Sequence, residues 1–304
     1  MSRVVQQVPR VSVILATNRS SAFLREALDS VAHQTHANVE LIVVDDGAED
    51  PHFIELAVAE CGAGRVIHQP SAGVSAARNA GAAQATGEFL VFLDDDDRWG
   101  PERLAIQSAA LVEAPDAVVS YCGMQSIDEA GAVIAPADQV AVTGEVDLAR
   151  RATGIILPNV LIRRSAFEQV GGFATQLRLA EDLDLILSLA RLGGFVFVPD
   201  VLVDYRTHST NTTKRYRDLC KAIDGVIRTH LSEAEARGDG ALVAAFRESL
   251  LANERYAWWS ALRAAKADLS ERHAGRAVGA VAWSVRFAPR GVPSAVLRRL
   301  RHNG

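Results

Sequence analysis

Apolar runs and polar breaks alternate regularly over the first 113 residues. Val11-Ser-Val-Ile-Leu15 reads as a strand that begins after Pro9. Polar Thr17-Asn18-Arg19-Ser20 ends it, and Ser20 or Ser21 can cap a helix whose Phe23, Leu24, Ala27, Leu28 and Val31 keep helical spacing. Leu41-Ile-Val-Val44 is a second buried strand that runs into Asp45-Asp46-Gly47. Residues 51 to 60 predict a helix and Arg65-Val-Ile-His68 a short third strand. The small residues Gly73, Ala76, Ala77, Ala80 and Gly81 suit a helix lying close to neighbouring backbone. Phe89-Leu-Val-Phe-Leu93 is a fourth strand, and Pro101 sits where a first helical residue would be.

This β-α-β-α-β-α-β-α order predicts a parallel α/β sheet with helices on both faces. Strand ends carry polar residues three times, at Thr17-Asn18, Asp45-Asp46 and Asp94 to Asp97. Open α/β sheets bind ligands outside the carboxyl ends of their strands, so these residues converge on one edge. Beyond residue 113 the pattern weakens. Strands are expected near Val118–Tyr121, Val133–Ala135, Val160–Arg163, Phe195–Val198 and Val201–Arg206. A helix begins at Leu179 to Asp182, with Leu183, Ile186, Leu187 and Ala190 on one face and Glu181 and Asp182 at its start. From Thr213 only helices are expected. The pattern therefore predicts one domain over 1–212, with a regular half at 9–113 and an irregular half at 114–212, and a C-terminal helical region over 213–304.

The 304 residues are 49% hydrophobic and 23% charged, which is ordinary for a folded domain and excludes disorder. A net charge of −5 supplies no basic field for nucleic acid. Cys61, Cys122 and Cys220 have neither disulfide-framework nor zinc spacing, which suggests a reducing compartment. No stretch reads as a signal peptide or a membrane span, so the expectation is a cytoplasmic protein. Four adjacent acids, Asp94 to Asp97, repel one another unless a cation or hydrogen-bond donors attend them. A hard divalent ion carrying a polyphosphate would serve.

Five ordered stretches resemble those of the family 2 glycosyltransferases, which have the GT-A fold. They are Val11-Ser-Val-Ile-Leu-Ala-Thr-Asn-Arg19, Val43-Val-Asp-Asp-Gly47, Ala72-Gly-Val-Ser-Ala-Ala-Arg-Asn79, Phe92-Leu-Asp-Asp-Asp-Asp-Arg-Trp99 and Ala180-Glu-Asp-Leu183. The resemblance covers about residues 9 to 210. It implies an inverting transferase that takes a nucleotide-sugar donor with Mn²⁺ or Mg²⁺, with 9–113 as its nucleotide-binding half and 114–212 as its acceptor half. It puts Thr17 and Arg19 in the loop that holds the nucleotide, Asp46 on the uracil N3–H and Arg78 near base and phosphate. Asp95 would bond the ribose. Asp96 would bind the metal, with Asp94 as its neighbour in the Asp-X-Asp motif. Asp182 would be the general base, with Glu181 beside it, while Arg206 and His208 would approach the diphosphate or metal. The implied partners are a UDP-sugar or dTDP-sugar donor and a glycan, lipid-linked or small-molecule acceptor.

Two other enzyme classes fit less well. A nucleotidyltransferase wants a Gly-rich basic loop after the first strand, and a dehydrogenase wants G-x-G-x-x-G there; Ala16-Thr-Asn-Arg-Ser20 is neither. A non-catalytic nucleotide-sugar-binding subunit would lack Glu181-Asp182. Residues 271 to 304 hold Arg272, Arg276, Arg286, Arg290, Arg298, Arg299 and Arg301 against Glu271 alone. With Val278, Val281, Ala282 and Val285 at helical spacing, and again Val296, Leu297 and Leu300, this segment suits a peripheral contact with the inner face of the plasma membrane. A bundle helix or a homo-oligomer interface fits the same pattern.

Overall fold

The computed structural model describes residues 8–62, 64–208 and 215–291. The chain divides into two compact units, Met1–Ser209 and Thr210–Gly304.

The first unit follows the predicted alternation through its first half. Strands β1 (Val11–Thr17), β2 (Val39–Asp46), β3 (Arg65–Gln69) and β4 (Phe89–Asp94) alternate with helices α1 (Ala22–Ala32), α2 (Pro51–Glu60) and α3 (Val74–Ala83). The helix starts are local: Ser21 Oγ accepts the Leu24 N–H, and Asp50 accepts the Phe53 N–H with Pro51 at the first turn. The strands pair parallel in the order β3-β2-β1-β4. Alternate residues feed the two faces. Val11, Val13, Leu15, Val43, Val91 and Leu93 pack with α1, α2 and α4 (Arg103–Glu113). Ile14, Ile42, Val44, Leu90 and Phe92 pack with α3, α6 (Arg164–Val170) and α7 (Glu181–Ala190) on the other. Continuous apolar runs are what a strand buried on both faces requires.

The second half is mixed. After β5 (Arg98–Trp99) and α4 come β6 (Ala117–Ile127), β7 (Val133–Ala135), α5 (Glu145–Arg150), β8 (Val160–Arg163), α6, α7 and β9 (Gly194–Arg206). The full order is β3-β2-β1-β4-β8-β6-β9-β5, and β8 joins β4 and β6 antiparallel. Several expectations are corrected here. Pro101 lies in a turn and α4 starts at Arg103. The two strands expected at 195–198 and 201–206 are one, β9, because Pro199 and Asp200 bulge out between its pairings with Cys122 and Gly123 of β6. Any Cβ on Gly123 would stand 2.8 Å from the Asp200 carbonyl oxygen, so the bulge needs glycine there. The short elements β5, α5 and α6 have too few residues to show a period.

In the second unit, α8 (Tyr216–Arg237), α9 (Gly240–Ser270) and α10 (Ala274–Phe287) form the helical region. Asp239 caps α9 by accepting the Ala241 and Leu242 N–H groups. Trp258 is buried and donates Nε1–H to the Ala288 carbonyl, whereas Trp259 is exposed. Among the described residues no helix is long and apolar enough to cross a membrane. The expected helical residues Val296, Leu297 and Leu300, with Arg298, Arg299 and Arg301, lie outside the described residues, as does the boundary at 212.

A Cβ on Gly81 of α3 would lie 2.6 Å from Ile14 Cγ2 and 3.1 Å from Val44 Cγ2. Gly81→Val is expected to lower unfolding stability by about 2–3 kcal/mol through overpacking, read from a urea denaturation midpoint.

Candidate active site

Strand order reverses between β1 and β4: β2 and β3 lie on one side of β1, and β4 lies on the other. The crevice at such a switch point is where open α/β sheets take ligands. In register, Thr17 stands beside Asp45 and Ala16 beside Asp94, so the polar ends of β1, β2 and β4 share one level.

The four acids after β4 are held by different partners. Asp95 is buried, accepts from Thr17 Oγ1 at 2.5 Å, and takes a forked pair from Arg19 with Nη2 at 2.5 Å. Arg19 Nη2 also reaches Asp96 Oδ2 at 2.6 Å, and His208 Nε2 meets that same oxygen at 2.8 Å. Asp94 accepts from Arg78 Nη2 at 2.6 Å, and the other arm of Arg78 reaches Glu181 at 2.9 Å. Each of these two arginines therefore joins two acids. Burial opposes the charge on Arg78, but Asp94 and Glu181 outweigh it and its pKa is raised. Phe173 lies against the guanidinium, with its ring centroid 5.4 Å away.

Asp97 and Asp182 form no ion pair among the described residues. Asp97 is buried and accepts the Arg206 N–H at 2.8 Å, and its Oδ2 has no hydrogen-bond partner among the described residues. Burial, with Asp94 and Asp96 nearby, holds its pKa well above the usual carboxylate range. Asp182 lies in the first turn of α7, whose N-cap Ala180 has a left-handed φ of 60°. Burial, then the adjacent Glu181 charge, pushes the Asp182 pKa up to about 6 against the pull of the Leu183 N–H and Arg78. Asp94 acts in the same raising direction, so Asp182 faces the acid cluster electrostatically.

Asp46 does separate work. Its carboxylate accepts from the Ala72 and Gly73 N–H groups at 2.8 and 2.9 Å and from Gln69 at 2.7 Å. It thereby closes the exposed loop that opens α3, the helix that delivers Arg78. Arg206 is turned inward. Its Nε donates to the Asp96 carbonyl, Nη1 to the Glu129 carbonyl, and Nη2 to Glu26 at 2.5 Å, while the guanidinium lies 4.5 Å from the Phe23 ring centroid. The diphosphate contact expected of it gives way to an anchoring position, because the side chain is 1% exposed. Phe23 also lies against the His208 ring.

Sequence reasoning left Asp97, Glu26 and Phe173 unassigned. The run of four acids could have pointed to Asp97, since its last member falls where the chain turns back into β5. Glu26 carries no such signal; it is one acid on an amphipathic helix.

The residues suit a divalent cation in their donor chemistry. Asp94 Oδ2 and Asp96 Oδ1 accept no hydrogen bond among the described residues, and His208 already touches Asp96. Carboxylate oxygens with one imidazole fit Mn²⁺ or Mg²⁺, and the surplus of acid over base favours binding it. Among the described residues, three ligand atoms come within 4.8 Å of one another only at Asp268, Glu271 and His273 of the helical unit. That group is largely exposed and partnered, Asp268 by Arg276 and Glu271 by His273.

Removing the Arg78 guanidinium strands two carboxylates. Arg78→Met is expected to cost about 3–5 kcal/mol of stability, measured by chemical denaturation at pH 7.5.

Comparison with known proteins identifies the fold's relatives. The model of the family "Glycosyl transferase family 2" matches residues 12–171, more than half of the chain. An uncharacterized glycosyltransferase of Rickettsia prowazekii is 27% identical over 69% of this chain and 70% of its own. One of Rickettsia felis is 28% identical over 75% of this chain, which spans only 39% of that relative's length. The crystal structure of residues 1–349 of S. aureus TarS in complex with UDP-GlcNAc superposes with a TM-score of 0.63, at 17% identity over 90% of both chains. The fold is thus GT-A, and the chain belongs to glycosyl transferase family 2.

Proposed function

We propose that this family 2 glycosyl transferase moves a sugar from a nucleoside-diphosphate sugar to an acceptor hydroxyl with inversion, Asp182 serving as general base. The observation that carries the reading is a carboxylate whose environment lifts its pKa to about 6 beside the acid cluster at the sheet's switch point. A carboxylate of ordinary acidity is a weak base; one raised toward neutrality is a better one and is still ionised at pH 7.5.

The reaction is a single displacement. The acceptor oxygen forms its bond to the anomeric carbon as the bond from that carbon to the phosphate oxygen breaks. The acceptor proton passes to Asp182, and the electron pair leaves with the nucleoside diphosphate. Arg78 fixes Glu181 and Asp94 on either side of this event, so the base and the acid cluster keep their spacing without solvent reorganisation. Thr17 and Arg19 orient Asp95 toward the ribose, and Arg206 holds the Asp96 carbonyl so that the Asp96 side chain presents one free oxygen. Asp96, His208 and Asp94 would hold Mn²⁺ or Mg²⁺, which when bound neutralises the charge growing on the leaving diphosphate.

The donor class follows from two supports. TarS was crystallised with UDP-GlcNAc. Asp46, at the end of β2, is an anionic acceptor suited to an imide N–H, which uracil and thymine bases present. A UDP-sugar is the first choice and a dTDP-sugar the second. The acceptor is a hydroxyl of a glycan, a lipid-linked glycan or a small molecule in glycoconjugate or polysaccharide biosynthesis.

Four measurements test this reading. Asp182→Asn should cut transfer by about 10²–10⁴-fold while a UDP-sugar with Mn²⁺ still raises the melting temperature. Equal loss of donor stabilisation would assign Asp182 to binding. The same variant should be more stable than the parent at pH 7.5. Burial raises the Asp182 pKa from 3.8 to about 6, so ionising it costs the fold up to about 3 kcal/mol above pH 6, and that cost vanishes below pH 4. Because the ionised form is the base, kcat/KM should fall tenfold per pH unit below about 6. Chelation should abolish both transfer and the donor-induced shift, and Mn²⁺ or Mg²⁺ should restore them.

A further inference from the structure

The two units differ sharply in charge. Residues 1–209 carry 15 Lys and Arg against 28 Asp and Glu, whereas residues 210–304 carry 17 against 9. A net charge of −5 conceals a strongly acidic catalytic unit and a strongly basic helical one. The basic unit also shows apolar surface to solvent. On α10, Val278 is 69% exposed and Val285 53%, and Ala282 between them is exposed as well. These positions follow i, i+4, i+7 spacing, so they form one stripe along the helix. The opposite side of α10 is used: Ala277 and Ala280 pack on Ala265 of α9. Arg286 lies one turn beyond Ala282, and Arg290 lies in the turn that follows the end of α10 at Phe287; both are exposed and pair with no acid among the described residues. Arg276, by contrast, is tied to Asp268 at 3.2 Å. Leu269, 59% exposed at the end of α9, adds to the apolar surface of the same unit.

We infer that this face of α10 docks on an anionic lipid surface. A shallow row of aliphatic side chains beside the exposed Arg286 and Arg290 matches the boundary between acyl chains and anionic headgroups. A second copy of the same face is opposed by charge, because it would bring two strongly basic units together. An anionic leaflet attracts the helical unit and repels the catalytic one.

The test uses the full chain and vesicle co-sedimentation at about 0.1 M NaCl, where the screening length is about 10 Å. Vesicles with about 30% phosphatidylglycerol in phosphatidylcholine should capture the chain, and pure phosphatidylcholine should capture about tenfold less. Val278→Asp with Val285→Asp, and separately Arg286→Glu with Arg290→Glu, should each reduce capture about tenfold, since every one of these side chains is exposed and the helix content by circular dichroism should not change. UDP-sugar binding by these variants should match the parent, which separates this inference from the reading of the donor site. No capture by anionic vesicles, equal capture by neutral ones, or capture untouched by both variants overturns the proposal. A dimer in solution that the valine variants dissolve, without vesicle capture, would give the face to a second copy instead.

Discussion

Six carboxylates at the carboxyl edge of a buried sheet repel one another, and the catalytic unit is built around controlling that repulsion. Arg19 and Arg78 each span two acids, so two cations hold four anions in fixed geometry. The remaining two, Asp97 and Asp182, form no ion pair among the described residues, and burial, more than the neighbouring acids, raises their proton affinities, as it also raises that of Asp95 beside Arg19. One such group is spent inside the fold, where Asp97 secures the backbone of Arg206. The other is Asp182, at the start of α7, where a carboxylate of raised basicity is chemically useful.

The arrangement distributes cost unevenly. Paired buried charges contribute little net stability and are chiefly a means of fixing position. The stability of the unit resides in the two apolar layers on either face of the sheet, where alternate residues of β1, β2 and β4 meet helices on both sides. Close approach of α3 to β1 and β2 through Gly81 brings Arg78 to the strand ends. Packing thus supplies the energy that keeps an electrostatically unfavourable site assembled, a common division of labour where a site needs strained or unpaired groups.

Much of this was legible in the chain. The order of β1 to β4 and the helices between them, a serine cap at the start of α1, and the gathering of Thr17, Asp46 and Asp94 to Asp97 at one edge all follow from period and polarity. The second half was less legible because its strands are bulged or antiparallel and its helices short. Pro199 and Asp200 look like a break between two strands, whereas Gly123 opposite lets one strand bulge through. Pro101 looks like a helix start, yet its segment is taken up by the turn that follows β5.

By itself the sequence determined the four parallel strands of the first half and the helices between them, which of their faces are apolar, and which strand ends carry acids, since each of these depends on neighbours only a few positions away. Tertiary structure decided the pairing. Arg78 meets Glu181 across 103 residues, and Arg206 meets Glu26 across 180. It also decided that Arg206 points inward and that Glu181 takes Arg78 while Asp182 beside it, in the first turn of α7, forms no ion pair among the described residues. Charge and burial act through space, and local periodicity carries no information about which distant side chain will stand there.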